Sequence, residues 1–160
     1  MHPPTVFIID DDATVREAIT LLLEHEEIHV QSFASAEAFL SAYHPDFIGC
    51  ILLDICMPGK DGMQLHEELK QRQSKLPIIF LTGYGDIPQS VKAIKAGAID
   101  FLTKPVTRVK LLASIRSAFL EAYKTQHVAE HHQAILSRIA TLTEREQEIM
   151  TLVVQGYSNK

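Results

Sequence analysis

The sequence predicts an α/β fold in which helices cover both faces of a five-stranded parallel sheet. Short apolar runs alternate with segments of helical periodicity in five successive pairs up to residue 120, and such alternation produces parallel strands joined by crossover helices. Four of the five apolar runs also end at aspartate, threonine or lysine, which suits strand ends that open onto a ligand site. The simplest arrangement is a doubly wound sheet with the strand order 2-1-3-4-5.

The first part of the chain contains two strand-helix pairs. Residues 6–9 form an apolar run that ends at three consecutive aspartates, which predicts a first strand with an acidic carboxyl end. The apolar residues that follow recur at intervals of three and four and predict one buried helical face: Val15, Ala18, Ile19, Leu22 and Leu23. Residues 28–33 partly alternate and predict the second strand, and Ser35 is a suitable N-cap for a helix through about Tyr43.

The third strand leads directly into a single acidic residue. Residues 50–53 are apolar or small, and Asp54 follows them at once. Pro58, Gly59 and Gly62 then force the chain out of regular structure. We therefore expect a buried strand that presents the Asp54 carboxylate at the carboxyl edge of the sheet.

The remaining pairs follow in order along the chain. They are a helix over about residues 62–73, a strand over 77–81 that ends at Thr82, a helix over 88–96 that Gly97 stops, a strand over 99–103 that ends at Lys104, and a helix that begins near Thr107. Because the carboxyl ends of parallel strands meet at one edge of the sheet, the polar residues that end strands one, three, four and five should lie close together.

The chain changes character beyond this fold. Residues 106–155 contain neither glycine nor proline, so nothing local prevents a long helix. We divide the chain into three parts, which are a domain over residues 1–122, a polar helical linker over 123–138 and the start of a second helical domain over 139–160. Thr143 and Glu146 form a capping box in that second domain. Because residues 158–160 resemble one more helix cap, we expect this domain to be a truncated fragment.

The composition restricts the classes of function. The 160 residues, 46% of them hydrophobic and 22% charged, fit one ordinary soluble domain plus a short remainder. The first strand begins by Thr5, which leaves no room for a signal peptide, and no apolar run approaches a membrane span, so we expect a cytoplasmic protein. The net charge of −5 argues against a nucleic-acid interface over the whole surface. Cys50 and Cys56 form neither a metal-binding pattern nor a disulfide framework.

Three aspartates are expected to share the carboxyl edge of the sheet. Asp10 and Asp11 follow strand one, and Asp54 follows strand three. Because neighbouring carboxylates repel one another, a cation should hold them together, and Mg²⁺ suits a site of few carboxylates that it shares with a phosphate. Lys104 offers a positive charge and Thr82 a hydroxyl to phosphoryl oxygens. Asp54 is then placed as a carboxylate nucleophile that forms a mixed anhydride with phosphate.

These residues resemble the motifs of receiver domains in two-component response regulators. The matching stretches are residues 9–12, the motif Asp54-x-x-Met57-Pro58-Gly59-x-Asp61-Gly62, Thr82-Gly83 and Lys104-Pro105. They occur in order and at compatible spacing, and the resemblance extends over roughly residues 4–122. It implies the flavodoxin-like fold of CheY-like receivers, in agreement with the pattern of strands and helices.

The resemblance implies how the acidic residues act. Asp54 would accept a phosphoryl group from a phosphohistidine on a sensor histidine kinase. Mg²⁺ would be bound by Asp11, Asp54 and the backbone carbonyl of Cys56, with Asp10 assisting through water. Each role belongs to the residue of this chain that occupies the matching motif position.

The resemblance also implies a conformational switch. Lys104 would contact the phosphoryl group, and its peptide bond with Pro105 would be cis. Thr82 and Phe101 would be the switch pair, in which the hydroxyl moves toward the phosphoryl group and the ring turns inward. Family members often have tyrosine at the position of Phe101, so a role for a hydroxyl there is absent. Phosphorylation would bias helix four and strand five toward homodimer formation.

Other stretches resemble one branch of the family. Residues 82–88 and 95–101 resemble FixJ-type regulators, and residues 142–148 and 156–160 resemble the opening of a LuxR-type helix-turn-helix domain. The scanning and recognition helices of such a domain would follow, so DNA contact would depend on residues beyond this chain and no DNA-contacting residue is predicted within it. The resemblance implies a regulator of transcription and not an enzyme, apart from self-phosphorylation and autodephosphorylation.

Two other functions fit parts of the sequence. Asp10-x-Asp12-x-Thr14 after an apolar strand resembles the nucleophile motif of haloacid-dehalogenase-type phosphatases, in which Asp10 would be the nucleophile. Against this, strand one leads into a helix without a flap insertion, and Asp86 has no second acid four residues later. A nucleotide- or flavin-binding module would need glycines in the first strand-helix turn, where aspartates stand instead.

Overall fold

The computed structural model describes residues 3–83 and 87–141 and contains five strand-helix pairs. The strands are β1 (Thr5–Ile9), β2 (His29–Phe33), β3 (Gly49–Asp54), β4 (Ile78–Thr82) and β5 (Asp100–Thr103). The helices are α1 (Ala13–His25), α2 (Ala36–Ala42), α3 (Gly62–Gln71), α4 (Ile87–Lys95) and α5 (Arg108–Thr141). All neighbouring strands are parallel, in the order β2-β1-β3-β4-β5. The predicted doubly wound sheet is confirmed.

Two hydrophobic clusters lie on opposite faces of the sheet. Because successive side chains of a strand point to opposite faces, Phe7 and Ile9 of β1 join one cluster, and Val6 and Ile8 join the other. The first cluster packs against α2 and α3, and the second packs against α1 and α5. Burial on both faces explains why the inner strands are continuously apolar rather than alternating.

The structure differs from the predictions by one or two residues at several element ends and at one position on the buried face of α1. The third helix ends at Gln71, because Gln73 adopts the left-handed conformation (φ 58°) and the Ser74 amide donates to the Leu69 carbonyl at 2.9 Å. This closure is typical of a helix C-terminus and stops the helix before Gln73. On α1, Ala18 is exposed although its spacing predicted a buried position. The small alanine lies at the border of the face that Ile19 and Leu23 bury.

Helix α5 extends past the end of the first compact unit. The chain divides into two compact units, Met1–Ala122 and Tyr123–Lys160. The predicted linker over residues 123–138 lies within the helical span of α5. The predicted start of a helix-turn-helix domain lies mostly beyond residue 141, outside the described residues, as do Tyr84, Gly85 and Asp86. These parts of the domain division stay predictions.

No helix among the described residues is both long enough and apolar enough to cross a membrane.

Gly49 sits at the amino end of β3 in a conformation that few other residues adopt. Its φ is 136°, and it pairs in register with Thr5 of β1. A Cβ at this position would lie 1.8 Å from the Thr5 carbonyl oxygen, which is backbone and has no freedom to retreat. Glycine is therefore required where β3 enters the sheet.

We predict that Gly49→Ala destabilises the domain by more than about 3 kcal/mol, because it combines backbone strain with a steric overlap. The matched control is Gly97→Ala, since Gly97 also has a positive φ (107°) but nothing lies within 4 Å of the position of its Cβ. In that variant only backbone strain should lower the free energy of unfolding, by about 1–2 kcal/mol. Urea unfolding monitored by circular dichroism measures the free energy of unfolding of both variants. Equal losses would show that the contact with Thr5 is unimportant.

Candidate functional site

Three carboxylates meet at the carboxyl edge of the sheet. One oxygen from each of Asp10, Asp11 and Asp54 lies within 4.8 Å of the other two. The strand register produces this meeting: Ile9 pairs with Leu53 across β1 and β3, so the residues that follow them leave the sheet side by side. Asp10 and Asp54 are buried and Asp11 is exposed. The cluster is thus closed on the protein side and open to solvent at Asp11.

The turn between β1 and α1 fixes Asp10 with several hydrogen bonds. Its Oδ1 accepts from the Asp12 amide at 2.9 Å, and its own carbonyl accepts from the Arg16 guanidinium at 2.6 Å. Asp12 uses its side chain to cap α1 by accepting from the Thr14 amide at 2.9 Å. Of the three consecutive aspartates, the third therefore serves the helix and the first two belong to the carboxylate cluster.

Lys104 supplies the positive charge of the site. Its Nζ lies 2.8 Å from Asp10 Oδ2 and 3.4 Å from Asp54 Oδ2, and its side chain is about three-quarters buried. The Lys104 amide donates to the Thr82 carbonyl at 2.8 Å, which fixes the end of β5 beside the end of β4. The peptide bond between Lys104 and Pro105 is cis, as the resemblance implied. One ammonium group is therefore shared between two buried carboxylates.

The electrostatics show that Lys104 does not fully balance the acids. Burial, followed by the negative charge of Asp10, raises the pKa of Asp54 to about 6, and the Lys104 ammonium and the Cys56 amide only partly oppose this. For Lys104, burial lowers the pKa, but the hydrogen bond and charge of Asp10 together with those of Asp54 outweigh it and raise the pKa above its ordinary value. The site carries excess negative charge that a cation would relieve.

The loop after β3 folds closely over Asp54. The Cys56 amide donates to Asp54 Oδ1 at 3.2 Å, and the Gly62 amide donates to the Ile55 carbonyl at 3.0 Å. A Cβ on Gly62 would lie 2.4 Å from the Asp54 carbonyl oxygen, so only glycine fits there. Asp61 begins α3 with a capping box that includes Gln64. The loop thereby contacts one oxygen of the Asp54 carboxylate, while Lys104 lies near the other.

The two remaining predicted site residues lie in different environments. Thr82 is buried at the end of β4, one residue beyond the register partner of Asp54, and its hydroxyl makes a long hydrogen bond of 3.5 Å to the Leu102 carbonyl. Phe101 of β5 is 36% exposed. The ring therefore does not occupy an inward position. The structure brings Thr82 to the edge where Asp54 and Lys104 lie and keeps Phe101 at the surface.

Sequence reasoning missed some residues that shape the site. Arg16, which binds the Asp10 carbonyl, is one of several charged residues on α1 and carries no distinguishing pattern. Glu37 of α2 accepts from the amide of Lys60 in the loop after β3 at 3.1 Å, a contact across 23 positions of sequence. The role of Asp12 as a cap had a local signal, because Asp before Ala-Thr at a helix start is a typical N-cap.

Comparisons with known proteins agree with this geometry. Residues 6–116 match the model of the response regulator receiver domain. The chain is 39% identical over 155 residues to the response regulator protein TodT of Pseudomonas putida, covering 97% of this chain and 68% of TodT. It is 40% identical over 155 residues to the transcriptional regulatory protein FixJ of Bradyrhizobium diazoefficiens, covering 97% and 76%.

Solved structures give the same result. The response regulator StyR superposes with a TM-score of 0.88 at 38% identity, covering 97% of this chain and 78% of StyR. Full-length FixJ from B. japonicum superposes with a TM-score of 0.72 at 38% identity, covering 98% and 77%.

We predict that Asp54→Asn stabilises the domain above pH 6 when divalent cations are chelated. Because the folded-state pKa of Asp54 is raised from 3.8 to about 6, ionisation of this group costs stability as the pH rises through that window. The gain should be at most about 3 kcal/mol at pH 8 and should vanish below pH 4. Thermal unfolding in chelator across pH 4–8 measures it.

Asp12→Asn is the matched control, because it removes one negative charge while keeping the cap on α1. It should show no comparable gain between pH 4 and pH 6. A stability difference between wild type and Asp54→Asn that stays constant from pH 4 to pH 8 would contradict the prediction.

Proposed function

The chain belongs to the response regulator receiver family, and we propose that it accepts a phosphoryl group on Asp54 from a sensor histidine kinase. The observation that carries this proposal is the arrangement of Asp54 itself. It ends β3 beside a second carboxylate, with the Lys104 ammonium 3.4 Å from its Oδ2 and the Cys56 amide on its Oδ1. A nucleophilic carboxylate beside a fixed cation suits phosphoryl transfer.

The transfer that we propose needs only position and charge from this chain. An oxygen of the Asp54 carboxylate forms a bond to phosphorus while the bond from phosphorus to the histidine nitrogen of the kinase breaks. Lys104 moves from the carboxylates to an oxygen of the phosphoryl group, which stabilises the added negative charge. The product is an aspartyl phosphate, and the released histidine nitrogen of the kinase takes up a proton from solvent to become neutral imidazole.

We further propose that the carboxylate cluster holds Mg²⁺. Three carboxylates with oxygens within 4.8 Å of one another offer a hard, all-oxygen donor set, in which burial, followed by the charge of Asp10, raises the pKa of Asp54. Asp11, Asp54 and the Cys56 carbonyl would be ligands, with Asp10 acting through water because Lys104 already pairs with its Oδ2. When bound, Mg²⁺ supplies positive charge that neutralises phosphoryl oxygens.

The Asp10 nucleophile of a phosphatase is not favoured by this geometry. The Asp10 side chain is fully buried, whereas that of Asp54 keeps 7% exposure, and Lys104 Nζ lies closer to Asp10 Oδ2 (2.8 Å) than to Asp54 Oδ2 (3.4 Å). Asp12, which would complete a phosphatase motif, caps α1. We therefore propose a phosphoacceptor that sets a conformation, and not an enzyme beyond its own phosphorylation and dephosphorylation.

The output that we propose is dimer formation leading to control of transcription. FixJ is a transcriptional regulatory protein, and TodT is a response regulator. Among the side chains of α4 and β5 whose burial the structure describes, three large apolar ones are exposed to solvent: Val91, Ile94 and Phe101. Phosphorylation would draw the Thr82 hydroxyl toward the phosphoryl group and let Phe101 turn inward, which changes this surface. DNA binding would depend on residues beyond those described.

Intact-mass spectrometry after incubation with a small acyl phosphate and Mg²⁺ tests the phosphoacceptor. Wild type should gain one phosphoryl group, and Asp54→Asn should gain none, because the nucleophilic oxygen is lost. Asp12→Asn is the control, since it removes a nearby carboxylate that caps α1, and it should be phosphorylated like wild type. A phosphoryl adduct on Asp54→Asn would refute the assignment.

Light scattering with a beryllofluoride mimic and Mg²⁺ tests the dimer. The mass of the wild-type chain should double, and Ile94→Glu should prevent this because it places a charge on the proposed apolar surface. Leu21→Glu is the control, since Leu21 of α1 is also exposed (68%) but lies on the opposite face of the sheet. An unchanged mass for wild type, or an equal effect of both variants, would contradict the proposed surface.

A further inference from the structure

Glu37 of α2 is an exposed residue that binds the loop after β3, which spans residues 55–61. One oxygen of its carboxylate, Oε1, accepts a hydrogen bond from the Lys60 amide at 3.1 Å. The two residues are 23 positions apart in sequence and belong to different strand-helix pairs. The contact therefore connects α2 to the segment that begins directly after Asp54.

The backbone of the loop admits this carboxylate because Gly59 has no side chain. Its φ is 75°, and the atom nearest to the position that a Cβ would occupy there is Glu37 Oε1, at 3.2 Å. Such a separation is tighter than an ordinary van der Waals contact, so a side chain at position 59 would press against the carboxylate. Two separate features of the loop, an amide donor and a missing Cβ, thus match the position of Glu37.

The contact uses the backbone of Lys60, whereas the charge of Lys60 is engaged on another helix. The Lys60 ammonium pairs with Glu68 of α3, which also binds the Arg72 guanidinium at 3.0 Å. Lys60 therefore joins two helices, α2 through its amide and α3 through its side chain. Because the amide needs only an acceptor oxygen, a glutamine at position 37 can replace the carboxylate in this bond.

Other contacts fix the loop at its two ends and at Met57. At the start, the Ile55 amide donates to the Leu81 carbonyl of β4 at 3.1 Å, and at the end the Gly62 amide donates to the Ile55 carbonyl at 3.0 Å. Between them Met57 is 7% exposed and joins the hydrophobic cluster that packs against α2. Helix α2 therefore supports the loop twice, with its apolar face at Met57 and with the Glu37 carboxylate.

The Cys56 carbonyl belongs to the planar peptide unit that joins Cys56 to Met57, so its direction is set by the backbone on both sides of that unit. On one side the Cys56 amide donates to Asp54 Oδ1 at 3.2 Å. On the other side the burial of Met57 and the bond from the Lys60 amide restrain the chain. Residues 58 and 59 are exposed, so loss of the Lys60 bond removes a restraint only four residues after Cys56.

We propose that Glu37 is a positioning residue that holds the loop after β3 in the arrangement in which the Cys56 carbonyl binds Mg²⁺. This inference rests on the proposed function, because it concerns the cation site of Asp11 and Asp54. Glu37 supplies no ligand and acts through the Lys60 amide. Without this bond the loop samples more conformations, so cation binding has to order it and becomes weaker.

Hydrogen exchange in chelator tests the bond itself, without cation or phosphate. In Glu37→Leu, which removes the acceptor, the Lys60 amide should exchange about fivefold faster than in wild type. Glu37→Gln keeps an acceptor oxygen and should restore slow exchange. Glu67→Leu is the control, since it removes an exposed acidic side chain from α3 and should leave the exchange of Lys60 unchanged. Equal rates in wild type and Glu37→Leu would overturn the proposal.

A measurement on wild type protects the test against misfolding of a variant. An NMR experiment that detects coupling across hydrogen bonds should connect the Lys60 amide nitrogen to the carboxylate carbon of Glu37. If this coupling is absent and the Lys60 amide exchanges as fast as in an unstructured peptide, the bond does not exist and the proposal falls.

Titration with Mg²⁺, followed through the amide chemical shifts of residues 54–57, tests the effect on the site. The Kd for Mg²⁺ should rise about fivefold in Glu37→Leu and stay within about twofold of wild type in Glu37→Gln. Because both variants remove the same charge, a difference between them does not come from long-range electrostatics. A lower urea midpoint for Glu37→Leu with an unchanged Kd would show a merely structural role and refute the positioning of the cation site.

The behaviour of wild type separates this proposal from the proposed function. If wild type shows no shifts that depend on Mg²⁺, the cation site fails, and the role of Glu37 toward Mg²⁺ fails with it, while the exchange of the Lys60 amide still decides whether Glu37 holds the loop. If wild type binds Mg²⁺ and Glu37→Leu binds it equally well, the cation site stands and the positioning role of Glu37 is refuted.

Discussion

The structure depends on one unfavourable interaction, the approach of the buried Asp10 and Asp54 carboxylates at neighbouring strand ends. The register of β1 and β3 forces them together, and the sheet order brings Lys104 from β5 to within 2.8 Å of one and 3.4 Å of the other. A single ammonium faces two acids there, and burial, followed by the charge of Asp10, raises the pKa of Asp54. Additional positive charge is therefore favourable at this site.

Much of this arrangement followed from the sequence because it depends on order along the chain. In the sequence, a strand end appears as an apolar run followed by a polar residue. Because the carboxyl ends of parallel strands lie at the same edge of the sheet, Asp54 and Lys104 can be predicted to lie close together. The predicted sheet order and the cis bond before Pro105 agree with the structure. The roles of these residues in phosphoryl transfer and metal binding are not decided by position alone and stay proposals.

What the sequence could not show depends on distances across the fold. His66 follows the apolar Leu65 on a short amphipathic helix and looks like a polar residue at the edge of its buried face, whereas it is 7% exposed and its ring stacks on Phe80 of β4. The exposure of Phe101 also depends on the packing of α4 beside β5. The exposed position of Ala18 shows the same limit, since the period of a helix identifies the centre of its buried face better than its border.

Gly49 lies at the opposite edge of the sheet from the carboxylates, yet it sets where they stand. Its close contact with Thr5 sets the register between β3 and β1 at the start of β3. Because Asp54 follows five residues later in the same register, it lies beside Asp10. A shift by one residue would turn every side chain of β3 to the other face. Within residues 49–54 the chain has no tolerance for a change of length.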